Sequence, residues 1–421
     1  GSVVYVRDRH VRSCDLATGE DHPLSTIRRA GGVGSGSAPR ALSYNPAEGA
    51  VLLTNDLDGG GYELYMLPRG GGGGGGGGGD AAPEPKKGSG NAAIFVARNR
   101  FAVLDRAANA LHIKNLRNET TKTVASPLPS TDAIFYAGTG LLLVKGDGDR
   151  VVLFDVQQRS ILGEVSAPGA KYAVWSPDGA RVALLCKHAV VLADKKLGSA
   201  ATVHETIRVK SAAWDPSGAL LYSTLNHVKY ALPSGDAGTV RTLDAPLYLV
   251  AVDGRRLHCL DRDGSPRVLE VDPAEYVFKL ALAQRRFDTV LGLVRGGALC
   301  GQAVIAYLRA QGFPEVALHF VKDDRTRFAL AVECGNVEVA LEAAQALDDP
   351  DTWRALGAEA VRHGNVAAAE FAFQRVRDYG RLAFLYLVAG AQEKLAKVGK
   401  LVAARGDARA RFQLALYAGD P

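Results

Sequence analysis

Methionine is nearly absent from the 421 residues, Met66 being the only one, and cysteine is sparse. The five cysteines, Cys14, Cys186, Cys259, Cys300 and Cys334, are odd in number and far apart. That usage fits reduced thiols and argues against a disulfide framework. No Cys-x-x-Cys occurs, which argues against a zinc ribbon or a redox pair, and no Gly-x-Ser-x-Gly, so the nucleophile elbow is missing. Uncharged apolar stretches such as Gly296 to Leu308 stop at about a dozen residues, too short for a membrane-spanning helix. An excess of one charge is lacking as well: 50 basic against 45 acidic residues leave a net +5. So small and dispersed a surplus does not describe a dedicated nucleic-acid binder. The remainder, 47% hydrophobic and 23% charged, is globular composition of about two to four domains' length. The chain opens at Gly1-Ser2 without a charged-then-apolar leader and stops at Gly419-Asp420-Pro421, which reads as a helix-to-turn junction. An internal piece of a longer polypeptide is expected.

Two repeat systems divide the sequence. In the N-terminal two-thirds, Trp175-Ser176-Pro177-Asp178-Gly179 precedes the apolar run Arg181–Leu185, and Trp214-Asp215-Pro216-Ser217-Gly218 precedes Leu220–Ser223, the tryptophans being 39 residues apart. Weaker copies at Phe135 and Phe95 fall at successive steps of 40 residues upstream, another lies near Val250, and Tyr44-Asn45-Pro46 is displaced by a glycine-rich insert. A period near 40 with a Pro/Gly turn between two β-rich runs marks a propeller blade, the proline fixing φ and the glycine supplying a positive φ. Six anchors give six blades. Val3–Val6, His10–Leu16 and Leu24–Ile27 give three strands of a seventh that lacks its first strand. The expectation is a seven-bladed WD40-like β-propeller over residues 1–272, carrying a disordered glycine-rich insert at about 68–90. The ten glycines of that insert, Gly70–Gly79, are not followed by Gly-Lys-Ser/Thr and are not read as a phosphate loop.

Near Asp272-Pro273 the apolar spacing changes to threes and fours and alanine rises. Helices then end at regular small turns. Gly312, Gly335, Gly364, Gly390 and Gly419 are spaced 23, 29, 26 and 29 residues apart. A glycine closing one helix, followed by Asn336 or Asn365 capping the next, predicts an α-solenoid of helical hairpins over residues 273–421.

Candidate chemistry is thin. His204-Glu205-Thr206-Ile207-Arg208 is half of a zinc-protease motif, but Arg208 stands where the second histidine is required and the context is strand. Asp56-Leu57-Asp58-Gly59 and Asp261-Arg262-Asp263-Gly264 resemble the start of calcium loops but lack the closing Glu, and read as tight turns. Asn118-Glu119-Thr120 is a formal glycosylation site without a secretory context. Arg7, Arg9, Arg12, Arg28 and Arg29 read as a solvated basic edge. Trp175 and Trp214 are expected in the blade core, and Cys300 and Cys334 as buried packing thiols on helical faces. No catalytic, cofactor-binding or metal-binding residues are assigned.

Longer strings carry a resemblance. Phe278–Leu282 with Arg286-Phe287-Asp288, Gly301–Leu308, Pro314–Asp323, Thr326-Arg327-Phe328, Glu333–Asn336 and Ala346–Asp349 look like the coatomer alpha-subunit family. Tyr5–Arg9, Ser43–Glu48, Val96–Arg106, Phe154–Gln158 and Arg208–Ser211 are similar to that family's second propeller. The resemblance implies a non-enzymatic scaffold of the COPI vesicle coat in Golgi-to-ER and intra-Golgi transport, with no cofactor, small-molecule substrate or nucleic acid. It also implies a cytoplasmic location, peripheral on Golgi membrane and COPI vesicles. The helical segment is expected to pack against the beta-prime subunit. The family's dilysine-reading propeller lies outside this sequence, so no cargo-binding residues are carried over. The alternatives are a scaffold of another propeller–solenoid assembly, at the nuclear pore or in ciliary transport, an enzyme with a site over the propeller channel, and an RNA-binding scaffold.

Overall fold

The computed structural model describes residues 2–27, 39–56, 59–67, 84–295, 302–406 and 408–419. The chain divides into two compact units, Gly1–Phe287 and Asp288–Pro421.

The first unit holds seven antiparallel sheets in chain order. Strands β1 (Ser2–Arg7), β2 (His10–Asp15) and β3 (Asp21–Thr26) form the first. Next come β4 (Ala41–Asn45) to β7 (Lys86–Ser89), β8 (Ala92–Ala97) to β11 (Thr120–Ala125), and β12 (Thr131–Tyr136) to β15 (Ser160–Ser166). Then follow β16 (Tyr172–Trp175) to β19 (Ala200–His204), β20 (Ser211–Trp214) to β23 (Ala237–Thr242), and β24 (Tyr248–Asp253) to β26 (Pro266–Glu270). The anchors at Tyr44, Phe95, Phe135, Trp175, Trp214 and Val250 all fall on first strands of sheets. These first strands touch in series, β4 to β8, β12, β16, β20 and β24, and line the ring.

Burial explains why the pattern is one of apolar runs rather than strict alternation. A blade is covered on both faces by its neighbours, so the second strand of each four-stranded sheet, and in some blades the third, buries nearly every position. Leu220-Leu221-Tyr222-Ser223 of β21 is wholly buried, and β9 (Arg100–Asp105), β14 (Arg150–Asp155), β17 (Arg181–Leu185) and β18 (Ala189–Asp194) are nearly so. Outer strands such as β11 and β23 are largely exposed. The tryptophans join one blade to the next. Trp214 is buried and its indole Nε1 donates to the Val174 carbonyl at 2.9 Å, while Trp175 Nε1 donates to the Tyr136 carbonyl at 2.6 Å. Trp214 is the core residue expected; Trp175 is only half-buried.

Two details differ from the sequence reading. Part of the insert expected to be disordered over about 68–90 is a strand: Lys86–Ser89 is β7, paired with Gly61–Leu64 of β6 (Gly61–Met66), while 68–83 lie outside the described residues. Its backbone groups find partners on β6, so a polar, glycine-containing stretch is still a strand. The last sheet, like the first, has three strands. After Glu270 the chain turns into helix α1 (Ala274–Ala283), whose Tyr276 and Leu280 complete the apolar cluster formed by Tyr230, Leu249, Leu257 and Cys259. Tyr276 Oη donates to Asp215 at 3.2 Å, and Tyr230 Oη donates to Glu275 at 2.8 Å.

The second unit is helical: α2 (Phe287–Arg295), α3 (Gln302–Ala310), α4 (Pro314–Ala317), α5 (Asp324–Glu333), α6 (Val337–Leu347), α7 (Pro350–Arg362), α8 (Val366–Val376), α9 (Tyr379–Val388), α10 (Gln392–Arg405) and α11 (Ala408–Ala418). Pairs α5–α6 and α7–α8 pack as hairpins around Ala340, Ala344, Trp353, Ala369 and Phe373. The predicted capping is present. Gly335 adopts φ +71°, and the Asn336 side chain accepts from the Val339 amide; Gly364 (φ +70°) and Asn365 repeat the device. At Gly335 a side chain is also sterically barred, since an added Cβ would stand 2.6 Å from the His363 ring. Glycine does not mark every turn. Asp348 (φ +43°) and Arg377 (φ +59°) close α6 and α8 in the same left-handed conformation without glycine, so those two turns carry no glycine signal in the repeat.

Replacing Trp214 by Phe keeps an aromatic ring but removes the indole bond to the Val174 carbonyl. Urea unfolding of the whole chain, followed by the β-sheet circular dichroism signal, should show the propeller transition lose about 0.5–1.5 kcal/mol. W175F, at a half-buried site, should lose less; equal or greater loss would mean the indole bond does not join the blades.

Candidate functional site

The residues singled out for chemistry are dispersed and already engaged. His204 ends the exposed strand β19, Arg208 lies in the following loop, and Glu205 between them is tied to Lys229 Nζ at 2.8 Å and accepts from the Tyr222 hydroxyl. Asp261 Oδ1 accepts from the amides of Asp263 (3.0 Å) and Ser265 (2.7 Å), with Gly264 at φ +74°, a tight turn. Asp56 pairs with Arg40 at 2.9 Å; residues 57 and 58 lie outside the described residues. Asn118 donates to the Lys87 carbonyl at 2.9 Å and accepts from Tyr62 Oη at 2.6 Å, so its amide serves the blade. Of the basic edge, Arg12 pairs with Asp21 at 2.8 Å and Arg7 lies 3.5 Å from Asp8, Arg9 sits in the left-handed turn after it, and Arg28 and Arg29 lie outside the described residues. Among the described residues no three His, Cys, Asp or Glu side chains are grouped to hold a metal ion.

The thiols are packing groups. Burial pushes the Cys186 thiol up to about 11 and that of Cys259 to about 12. Cys334 is half-buried at the C-cap of α5 rather than buried on a helix face, because the chain turns there toward Gly335. Cys300 lies outside the described residues.

The feature that stands out is an apolar face of the helical unit. The run Leu382-Ala383-Phe384-Leu385-Tyr386-Leu387-Val388 in α9 is apolar on every side. Leu382, Ala383, Leu385 and Tyr386 pack into the helical core, while Phe384 is 54% and Val388 71% exposed. With Val361 of α7 and Tyr417 of α11 they line a groove of about 510 Å³, floored by Phe373 and Leu385. Phe384 and Tyr417 face each other with ring centroids 6.4 Å apart. Phe412 and Leu416 of α11 add further exposed apolar surface. A helix apolar all round is normally covered on both sides, and a contiguous exposed patch of this kind marks a protein–protein contact. The sequence reading missed it, although an unbroken run of seven apolar residues in an otherwise striped helical segment was the available signal. Among the described residues no helix is long and apolar enough to cross a membrane.

A seven-bladed propeller followed by helical hairpins with an open apolar face defines a propeller–solenoid scaffold. The family model of the COPA/B second beta-propeller matches residues 8–261, and that of the COPA/B TPR domain matches 300–421. Over 420 residues and 100% of its length the chain is 52% identical to coatomer subunit alpha-1 of Oryza sativa subsp. japonica, covering 34% of that protein. It is 48% identical over 419 residues to coatomer subunit alpha-2 of Arabidopsis thaliana, again covering 34%, and 41% identical over 371 residues to coatomer subunit alpha of Saccharomyces cerevisiae, covering 87% of this chain and 30% of that one. The chain belongs to the coatomer alpha-subunit family. It spans about a third of the length of these curated relatives.

Because their thiolates are disfavoured at neutral pH, Cys186 and Cys259 should remain unmodified by iodoacetamide at pH 8 in the folded chain and become fully labelled in guanidinium, as read by peptide mass spectrometry. Modification of either at the rate of an exposed thiol would contradict their burial.

Proposed function

We propose that this chain is part of a scaffold subunit of the COPI vesicle coat, acting in Golgi-to-ER and intra-Golgi transport by protein–protein contact and without catalysis. Membership of the coatomer alpha-subunit family supports the reading, and the exposed apolar face at Phe384 and Val388 is the observation that carries it to a mechanism. Burying such a face against another subunit releases water from apolar surface, worth about 1.5–3 kcal/mol for each large side chain fully covered. Many such contacts in a polymerised coat sum through avidity. The propeller contributes fixed surfaces on two sides of a ring.

We take the propeller to end at residue 272 and the helical segment to begin at 273, with α1 at its start covering the last sheets of the ring. The partner of the apolar face is the helical segment of the beta-prime coatomer subunit, and other coatomer subunits join through the whole protein. The location is cytoplasmic and peripheral, on Golgi membrane and COPI vesicles, reached through the assembled coat. No cargo-binding role is assigned to this propeller.

A tagged copy of the chain, incubated with cytosol, should recover the beta-prime subunit. The double variant F384S/V388D, which removes exposed rather than core side chains, should lower recovery by about tenfold or more while the helical content is unchanged. Recovery of nuclear-pore or ciliary-transport components in place of coatomer, or undiminished recovery by the variant, would overturn the reading.

A further inference from the structure

One sector of the propeller concentrates uncompensated positive charge. In a blade whose strands alternate in direction, the segment entering the first strand and the turn between the second and third strands lie on the same side of the ring. Lys171 immediately precedes β16, Lys187 and His188 form the turn from β17 (Arg181–Leu185) to β18 (Ala189–Asp194), and Arg208 and Lys210 lie on the segment entering β20. Backbone hydrogen bonds tie these pieces together. The Lys171 amide donates to the Leu185 carbonyl (2.8 Å), the Val209 amide to the Lys187 carbonyl (3.1 Å), the Glu205 amide to the His188 carbonyl (2.8 Å), and the Lys210 amide to the Ser223 carbonyl (2.8 Å). Lys171, Lys187, His188 and Arg208 are exposed and Lys210 is half-buried.

None of the side chains of Lys171, Lys187, Arg208 and Lys210 has an ion-pair or hydrogen-bond partner among the described residues. Among the described residues the acid inside the sector is Glu205, and it is neutralised by Lys229, which approaches both of its oxygens at 2.8 and 2.9 Å. Basic groups on the two preceding blades are treated differently: Lys145 of β13 (Leu141–Gly146) and Arg106, in the turn before β10 (Ala110–Asn115), both reach Asp132. An apolar anchor lies within the patch, since Tyr172, next to Lys171, is 54% exposed.

We infer that this sector, Lys171, Lys187, Arg208 and Lys210 around Tyr172, is a docking surface for a short acidic segment of a partner polypeptide. Its extent decides the class of partner. Exposed acids flank it on the same side of the ring: Asp147 and Asp149 in the turn from β13 (Leu141–Gly146) to β14 (Arg150–Asp155), and Asp244 on the segment entering β24. A flat anionic membrane or an extended nucleic-acid strand covering the ring would meet these acids and be repelled, whereas a short acidic segment fits between them. With a Debye length of about 8 Å at physiological salt, the four charges act on a ligand seated over them and little beyond.

The test uses the chain with a fluorescein-labelled oligoglutamate peptide in a fluorescence anisotropy titration. Binding should weaken steadily with added salt, and the variant K171E/K187E/R208E/K210E should weaken it by at least about tenfold. The variant K195E/K196E, in the turn from β18 to β19 on the opposite side of the ring, should leave it within about twofold. Thermal melts identify any variant that fails to fold, in which case K171Q/K187Q/R208Q/K210Q takes the place of the reversal and should show the same loss in smaller degree. Equal loss in the sector and control variants would overturn the inference. So would sector-dependent binding of phosphatidylserine vesicles or of an oligouridylate stronger than that of the peptide.

Discussion

Each blade of the propeller buries both faces against its neighbours, and the architecture of the first unit depends on that mutual burial. It requires second strands that are buried on both faces, as in Leu220–Ser223, and in some blades a third strand as well, as in Val151–Phe154. It fixes the repeat length, because the same four-stranded unit must present the same two surfaces to the next. It also requires that polar groups on the contacting edges be satisfied from one blade to another, as the Trp214 and Trp175 indoles do through the carbonyls of Val174 and Tyr136. Each bond is modest, but burial of Trp214 without it would leave the indole N–H unpaired. At the end of the ring the same demand is met differently: Tyr276 and Leu280 of α1 complete the apolar cluster of the last sheets, and Tyr276 finds its polar partner in Asp215.

Consuming both sheet faces in packing leaves the turns and the outer strands free, so the surfaces available for work lie at the rim and on the two sides of the ring. The helical unit shows a complementary economy. Its hairpins bury small residues such as Ala340, Ala344 and Ala369, allowing close approach of helices. Its larger residues on α9 and α11 are left facing outward. The side chains left exposed there are ones that the helical packing itself does not use. The groups that the fold does require, Glu205 with Lys229 and Tyr222 or Asp261 in its turn, are those that superficially look like chemistry in the sequence.

The fold was legible where a local signal is tied to backbone conformation. The Pro-Asp-Gly and Pro-Ser-Gly turns after Trp175 and Trp214 located two blades, and the glycine–asparagine pairs at Gly335-Asn336 and Gly364-Asn365 located helix ends to the residue. It was less legible where tertiary context supplies what local sequence does not announce. Lys86–Ser89 reads as part of a flexible insert and becomes a strand because β6 offers it a paired edge. Asp348 and Arg377 close α6 and α8 in the left-handed conformation without the glycine that would announce it in the sequence. The apolar face was the least legible. Phe384 and Val388 are indistinguishable by residue type from Leu382 and Leu385, and only the packing says which of them are left uncovered.

The central claim is that this uncovered face is the contact through which the chain enters an assembly. Hydroxyl-radical footprinting, read by mass spectrometry on the free chain and on the subunit within reconstituted coatomer, tests it at the side chains themselves. Phe384, Val388, Phe412 and Leu416 should oxidise readily in the free chain and be protected in the assembly. Equal oxidation of all four in both states would contradict the claim.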